Sequence, residues 1–193
     1  MTSATTATTA VGRFLAFFRK AGRLKDVTRN SWTREGRRES VAEHSWRLAL
    51  MAVALEDELP GIDHKRLLQL LLVHDLGEAI RGDIPAPLQG GADKTAAERA
   101  DVAAIAASLP PGPAARIRVL WKECAAAETP EARLVKGLDR IETCLQHVEG
   151  ANPAGFDYAF NLGYGREHTD RHPLLAALRE PVDAETAHRA REG

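Results

Sequence analysis

Residues 70–78, with the sequence LLLVHDLGE, join an apolar run directly to a histidine, an aspartate and a glutamate. Apolar runs of this kind belong to a core, where histidine and aspartate are stable only when they are paired or bind a metal ion. His74 and Asp75 together offer the nitrogen and oxygen ligands that divalent cations accept. Two ligands do not complete a metal site, so further ligands are expected elsewhere in the chain.

The remaining sequence predicts helices throughout. Ser40 and Glu43 match the capping box S-x-x-E, so a helix should begin at Val41. Trp46 in this helix and Trp121 further on are expected in the core. No segment has the pattern of a strand, so the predicted fold class is all-α. Apolar residues recur at helical spacing in residues 11–24, 41–59, 64–76, 95–109, 114–127 and 130–149. A further short helix is expected over residues 174–179.

The segments between these helices are expected to form loops. Residues 25–38 are polar and basic, residues 80–91 hold two prolines and three glycines, and residues 150–165 are rich in glycine and aromatic residues. The 193 residues suffice for one domain, expected over 11–180. A disordered N-terminal tail is expected over 1–10, and a C-terminal tail or frayed helix over 181–193.

Composition excludes several kinds of partner. The formal net charge of −1 gives no field that would favour polymeric nucleic acid or a membrane surface. No apolar run approaches the ~20 residues that a membrane-spanning helix needs. Cys124 and Cys144 fit no zinc-binding spacing and are expected to be free thiols, which predicts a reducing, cytoplasmic location.

Two more candidate ligands lie on other predicted helices. His44 comes early in the capped helix, and Asp139 interrupts the apolar pattern of the helix over 130–149. With His74 and Asp75 they make a mixed nitrogen and oxygen set suited to one divalent metal ion, namely Mn, Fe, Co, Ni, Zn or Mg. From the residues alone, a satisfied core or surface histidine and a salt-bridged aspartate remain open alternatives.

The order of these residues resembles the signature of the HD-domain metal-dependent phosphohydrolases. Longer motifs resemble one subgroup, the HD-domain 5'-deoxynucleotidases, and the match runs from about Phe14 to Glu149. It implies a single compact helical bundle with a small-molecule nucleotide as substrate, and it suggests a homodimer. The motifs are ESVAEHS at 39–45, HDLGEA at 74–79, GDI at 82–84, LWKE at 120–123, TPEA at 129–132 and LDR at 138–140.

The resemblance also implies roles for individual residues. His44, His74, Asp75 and Asp139 would be the four metal ligands. Glu78 would orient or deprotonate the attacking water, and on a continuing helix it would share a face with His74, four residues earlier. Asp83 would act as a second acid or base, or hold the sugar.

Substrate-binding roles follow for Arg29 and Trp32. Arg29 would bind the phosphate through its fixed charge and its forked donors. One branch of the family has a tryptophan directly after this arginine, whereas here Asn30 follows and Trp32 lies three residues on. Lys94 and Glu98 resemble a further element of the family, but an exposed ion pair between positions i and i+4 explains them more simply.

The predicted function is removal of the 5'-phosphate from (deoxy)nucleoside 5'-monophosphates by metal-activated water. One alternative is hydrolysis of another phosphate ester or of a nucleotide polyphosphate. Another is a non-catalytic, metal-stabilised binding module, which would need the ligands but not Glu78. A di-iron oxygenase would need further ligands between His74 and Asp139, where the sequence has no histidine.

Overall fold

Helices make up most of the secondary structure, and they begin and end close to the predicted positions. The computed structural model of the protein describes residues 2–84 and 93–192. Its elements, in chain order, are α1 (Thr2–Ala21), a 3₁₀-helix (Gly22–Lys25), β1 (Thr28–Trp32), β2 (Arg38–Ser40), α2 (Val41–Ala54), a second 3₁₀-helix (Glu56–Glu58), α3 (His64–Val73), α4 (Glu78–Arg81), α5 (Asp93–Ala106), α6 (Pro111–Ala126), α7 (Pro130–Glu149), α8 (Tyr158–Gly163), α9 (Arg166–Thr169) and α10 (Pro173–Glu192).

The main core lies where α7 crosses α2, α3, α6 and α10. Apolar side chains from all five helices are fully buried there, so burial of their apolar area holds the helices together. The all-α fold class predicted from the sequence is confirmed. The largest buried side chains of this core are Leu48, Leu67, Leu70, Leu71, Leu138 and Leu175.

The start of α2 is fixed by the predicted capping box. The Ser40 hydroxyl accepts a hydrogen bond from Glu43 N at 3.2 Å, and the Glu43 carboxylate accepts one from Ser40 N at 2.8 Å. These bonds satisfy backbone donors that the first helical turn leaves free. The position of His44, in the first turn of α2, follows from this cap.

The segment predicted as a polar loop contains a small antiparallel sheet. Thr28 pairs with Ser40 and Trp32 with Arg38, with an irregularity between them, and Gly36 takes a positive φ of 79° in the turn. The sequence prediction of no strand is therefore wrong here. The hairpin lacks an apolar alternation because its side chains meet α7 through hydrogen bonds rather than through an apolar face.

Several helix ends differ from the predicted positions. Helix α1 includes residues 2–10, for which a disordered tail was predicted. Helix α3 ends at Val73 instead of Leu76, and α8 lies inside the predicted loop over 150–165. The predicted domain boundaries remain predictions, and most of the predicted loop over 80–91 lies outside the described residues.

Helix α10 continues through Pro181, where the sequence predicts a tail or a frayed helix. Proline removes one backbone hydrogen bond. The helix persists because Val182 packs with Cys144 and Val148 of α7, while the buried Thr186 hydroxyl bonds Val182 O at 2.7 Å. Tertiary packing therefore outweighs the tendency of Pro181 to end the helix.

Two further features of the described residues bear on the predictions. Cys124 and Cys144 are buried and free, as expected. None of the described helices combines the length and the apolar character that a membrane crossing requires.

Candidate metal centre and active site

Four side chains from three parts of the chain meet beside a cavity, and three of them, His74, Asp75 and Asp139, line it. His44 on α2 is fully buried, and its Nε2 lies 3.2 Å from Asp139 Oδ1 on α7 and 3.7 Å from Asp75 Oδ2. His74 Nε2 lies 3.0 Å from the same Asp75 oxygen. The structure thus brings together all four residues that the sequence proposed as metal ligands.

The His74 imidazole is oriented by the backbone of its own helix. Its Nδ1 lies 2.7 Å from Leu71 O, which only accepts, so Nδ1 carries the proton and Nε2 is left with its lone pair. That Nε2 is buried and makes no hydrogen bond within the described residues. A buried imidazole nitrogen that faces a carboxylate without a hydrogen bond, while the other ring nitrogen is held in place, is typical of a metal ligand.

The His44 imidazole is oriented by Glu142, one turn after Asp139 on α7. Its Nδ1 contacts both the Glu142 carboxylate and, at 2.7 Å, Arg29 Nη1. An arginine only donates, and Arg29 Nη1 already lies 3.0 Å from Glu39 and 3.2 Å from Glu142. We therefore assign the Nδ1 proton to the bond with Glu142, which leaves Nε2 free to face Asp75 and Asp139.

Glu142 is itself held by two arginines. Its side chain is fully buried, and Arg47 Nε donates to Oε1 at 2.7 Å while Arg29 contacts Oε2. Burial alone would raise the pKa of Glu142, but the charges of His44, Arg29 and Arg47 lower this pKa to about 2. Glu142 therefore stays ionised behind His44.

Glu39, His44 and Glu142 form a second cluster with the composition of a metal site. Arg29 Nη1 lies within 3.2 Å of both carboxylates of this cluster. Its guanidinium already supplies the positive charge, so a metal ion is not needed there. The cluster of His44, His74 and Asp75, together with Asp139, is the one that fits a divalent ion.

The acidic side of this cluster favours a cation. Burial opposes ionisation of Asp75, but the neighbouring His74 and His44 outweigh it and lower its pKa to about 2. Burial and Arg29 disfavour the charged form of His44, yet Glu142 and Asp139 outweigh them and raise the pKa of His44 to about 10. Without a metal, a proton on His44 compensates the carboxylates, and a divalent ion could take that role.

Glu78 and Asp83 line the same cavity as His74, Asp75 and Asp139, and its volume is about 510 Å³. This size lies within the range of ~300–1,000 Å³ that small-molecule sites have. Helix α3 ends at Val73, close to the predicted end at Leu76, so His74 and Glu78 do not share a face of one continuing helix. A turn closed by Glu78 N donating to Asp75 O at 3.0 Å starts α4 instead, and Glu78 still reaches the cavity.

The pKa values of both carboxyl groups are raised above their ordinary values. Burial, together with the negative charges of Asp75 and Asp83, raises the pKa of Glu78 to about 10. Its Oε2 is buried without a hydrogen-bond partner in the described part of the chain. Burial also raises the pKa of Asp83, and Asp75 adds to this effect. Carboxyl groups with raised pKa values beside a metal cluster can exchange protons during a reaction.

The predicted substrate-binding residues also line the cavity. Arg29 reaches it while donating from Nη2 to Thr143 Oγ1 at 2.8 Å, and Trp32 carries the Arg38 guanidinium over its ring at 5.3 Å. Lys94 and Glu98 form the expected ion pair at 3.4 Å, but this pair faces the cavity as well.

Sequence reasoning missed the groups that support the ligands. Glu142 could have been found, because it follows Asp139 by three residues on one helix and so shares its face. Arg140 donates to Asp139 Oδ2 at 3.0 Å and to the Tyr164 hydroxyl, and it also lines the cavity. Tyr164 lies 25 residues after Asp139 in an irregular segment, and no spacing rule connects them.

The HD domain family model matches residues 21–179 of this chain, which is most of its length. The chain belongs to the HD domain family. Two relatives named 5'-deoxynucleotidase HDDC2 are similar to it. The Danio rerio protein is 34% identical over 181 residues, covering 90% of this chain and 88% of the relative. The Homo sapiens protein is 36% identical over 138 residues, covering 70% and 67%.

Two solved structures have a similar fold. A protein of Magnetospirillum magnetotacticum, described as a predicted metal-dependent phosphohydrolase, superposes with a TM-score of 0.77 at 31% identity and 94% coverage of both chains. A conserved hypothetical protein from Pyrococcus furiosus matches with a TM-score of 0.65 at 28% identity, covering 89% of this chain and 98% of that one. The resemblance to the HD-domain phosphohydrolases is thus confirmed.

We predict that Glu142→Gln weakens metal binding by about 10- to 100-fold, the loss that follows removal of groups orienting a metal ligand. An amide can donate as well as accept, so it no longer fixes the proton on Nδ1 of His44. A calorimetric titration of the protein with buffered Mn²⁺ measures the affinity for the metal ion. Glu149→Gln is the control, because Glu149 also forms an ion pair with Arg47 but does not contact His44. An equal loss in both variants would contradict this role.

We also predict a pH-dependent gain of stability from Glu78→Gln in the metal-free HD domain. The pKa of Glu78 rises on folding from 4.5 to about 10. The folded state therefore keeps a proton that the unfolded state loses above pH 4.5, and the stability of the wild type falls as pH rises through this window. At pH 8 the variant should be more stable by about 1–3 kcal/mol, a discounted value since each pKa unit equals about 1.4 kcal/mol.

Urea unfolding of the metal-free proteins at pH 5 and pH 8 measures this difference, which should shrink at pH 5. Glu128→Gln, at an exposed position, serves as the control and should change neither value. A difference that is the same at both pH values would show that Glu78 does not hold the proton.

Proposed function

We propose that this HD domain protein is a metal-dependent phosphohydrolase that removes the 5'-phosphate from deoxynucleoside 5'-monophosphates. The observation that carries the proposal is that the buried Nε2 atoms of His44 and His74 form no hydrogen bond within the described residues and face the carboxylates of Asp139 and Asp75, which line the same cavity as Glu78. The names of the relatives and the cavity volume support a mononucleotide as substrate.

We assign His44, His74, Asp75 and Asp139 as ligands of one divalent ion. Two imidazole nitrogens and two carboxylate oxygens suit Mn, Co, Fe, Ni, Zn or Mg, and metal supply and site geometry select among these. Such an ion, when bound, activates water as a nucleophile and polarises a phosphoryl oxygen.

Glu78 is the group assigned to the attacking water. As a carboxylate, the form that a bound divalent ion would favour by lowering the pKa of Glu78, it accepts the proton that this water loses when its oxygen bonds to phosphorus. The bond from phosphorus to the 5'-oxygen then breaks, and that oxygen takes up a proton to leave as the nucleoside alcohol. Asp83, whose pKa burial also raises, is the proposed donor of this second proton, or it holds the sugar.

The phosphate is bound by the cations of the cavity. Arg29 still has donors to offer after its bonds to Glu39, Glu142 and Thr143, because its guanidinium carries five N–H groups. Lys136 and Arg140 of α7 also line the cavity and add positive charge. Trp32, beside Arg29 on the hairpin, contributes to the wall that contacts the nucleoside.

The test of this function is phosphate release from a panel of ribo- and deoxyribonucleoside 5'-monophosphates after EDTA treatment and after restoring Mn, Co, Mg or Zn. We expect metal-restored release that is greatest for deoxynucleotides. Asp75→Asn should lose metal and activity together. Glu78→Gln should keep its metal while kcat falls by about 10²–10⁴-fold, the typical contribution of a general acid or base. No release from any nucleotide by folded, metal-loaded protein would overturn the proposal.

We further propose a homodimer that buries two exposed apolar rows. On α2, Trp46 is 64% exposed, contrary to the core position expected from the sequence, and it lies in line with Leu50 and Val53. On α1, Val11 and Phe18 are likewise exposed. Rows of large apolar side chains spaced three and four residues apart are typical of helix interfaces.

Sedimentation at micromolar concentration should give twice the 21.0 kDa mass of the chain. Trp46→Glu combined with Leu50→Glu should shift it to the monomer, because two buried carboxylates would be unpaired in the interface. Val119→Glu, on α6, is a control at an equally exposed apolar position. A monomeric wild type would reject the dimer. The cytoplasmic location stays a proposal that rests on the two free cysteines.

A further inference from the structure

The segment over 150–165, to which sequence reasoning gave no role, forms an aromatic wall of the cavity. Phe156, Phe160 and Tyr164 all line the cavity that holds Asp75 and Asp139. The cavity therefore has ionic groups suited to a metal and a phosphate, and also rings suited to a planar apolar group.

Phe160 is the exposed member of this wall. Its side chain is 42% exposed although it is apolar, and it lies in a cavity otherwise rich in charged groups. The Tyr164 ring lies beside it, with a centroid distance of 5.3 Å and an angle of 31° between the ring planes. An exposed ring in a largely preformed cavity is a surface for a ligand with a flat apolar face.

The backbone that carries these rings is anchored from behind by Arg179 of α10. This arginine is almost completely buried, and it donates to Tyr164 O at 2.9 Å and also to Asn161 O. Asp157 caps α8 by accepting from Phe160 N at 3.0 Å. The wall is thus held in one position before a ligand arrives, which reduces the entropy lost on binding.

Arg140 connects Tyr164 of the aromatic wall to Asp139, a proposed metal ligand. Arg140 Nη1 donates both to Asp139 Oδ2, at 3.0 Å, and to the Tyr164 hydroxyl, and the guanidinium lies 4.7 Å from the Tyr164 ring centroid. A phosphate ester held at the cluster would extend its remaining part into the cavity that the aromatic wall shares.

We propose that Phe160, supported by Tyr164, stacks on the base of the substrate nucleotide. This inference rests on the proposed function and specifies how that site recognises the nucleoside. Stacking uses the face of a base, which every base has, so this wall accepts both purines and pyrimidines and favours the larger purines.

The experiment compares dAMP with 2-deoxyribose 5-phosphate, which carries the same phosphate and sugar but no base. We expect Phe160→Ala and Phe160→Leu to lower kcat/KM for dAMP at least about fivefold, the loss that weak base–aromatic stacking corresponds to. Both variants should leave 2-deoxyribose 5-phosphate unchanged, and Phe160→Trp should retain activity on dAMP. Val119→Ala, an exposed apolar position outside the cavity lining, is the control.

A second readout needs neither metal nor turnover. Calorimetry should detect binding of deoxyadenosine to the wild type and weaker binding to Phe160→Ala, while Val119→Ala binds like the wild type. Because leucine keeps the apolar bulk of Phe160 without its π-face, a loss in Phe160→Leu reports stacking rather than packing.

Each outcome decides the inference separately from the proposed function. Equal losses on both substrates, or no loss on dAMP, would overturn base stacking and leave the phosphohydrolase proposal intact. If the wild type hydrolyses neither compound, the proposed function fails, and deoxyadenosine binding still decides: sensitivity to Phe160→Ala supports stacking, and absent or unchanged binding overturns it.

Discussion

The contact between His44 Nδ1 and the Glu142 carboxylate is the interaction on which the site depends. Both side chains are fully buried, so neither can exchange this partner for water. Removing one member of a buried ionic contact commonly costs about 3–5 kcal/mol, whereas an apolar replacement of the whole cluster is often neutral. The cluster is therefore better explained by what it does to His44 than by stability, since it turns Nε2 toward Asp75 and Asp139.

Helix α7 contributes both to the apolar core and to the polar contacts that position the proposed ligands. Its apolar face packs in the core through Leu138 and Ile141. Its polar face carries a row of side chains, namely Asp139, Glu142 and Gln146. The hairpin of β1 and β2 packs against this polar face of α7 through Arg29. Helix α2 packs against it through Arg47, which contacts Glu142 and Gln146 Oε1. Polar contacts thus set the positions of the elements that carry the ligands, and apolar burial holds them there.

Much of this could be predicted from sequence because the signals are local. The capping box at Ser40 and Glu43 fixed the start of α2, and helical periodicity identified the segments that hold His74 and Asp139. The hairpin could not be predicted, since its residues lack apolar alternation and are stabilised by contacts with α7. The helix that carries His74 was predicted to end at Leu76 and ends at Val73, and Glu78 lines the cavity from the start of α4.

The supporting residues escaped prediction for a different reason. Arg29 was expected to serve the phosphate alone, but its bonds to Glu39, Glu142 and Thr143 make it part of the scaffold behind the ligands. Trp46 was expected in the core and lies on the surface. Such assignments depend on which elements meet in space, and this information is absent from the spacing of residues along one helix.

The four proposed ligands come from three separate parts of the chain. Metal supply should therefore affect how long the protein stays folded. An ion bound by His44, the pair His74 and Asp75, and Asp139 would join α2, the end of α3 and α7. The unfolded chain cannot present this arrangement, so free metal at 100 times its dissociation constant would add about 2.7 kcal/mol to the free energy of unfolding. The abundance of such a protein in a cell would then rise and fall with the available metal, even before catalysis is considered.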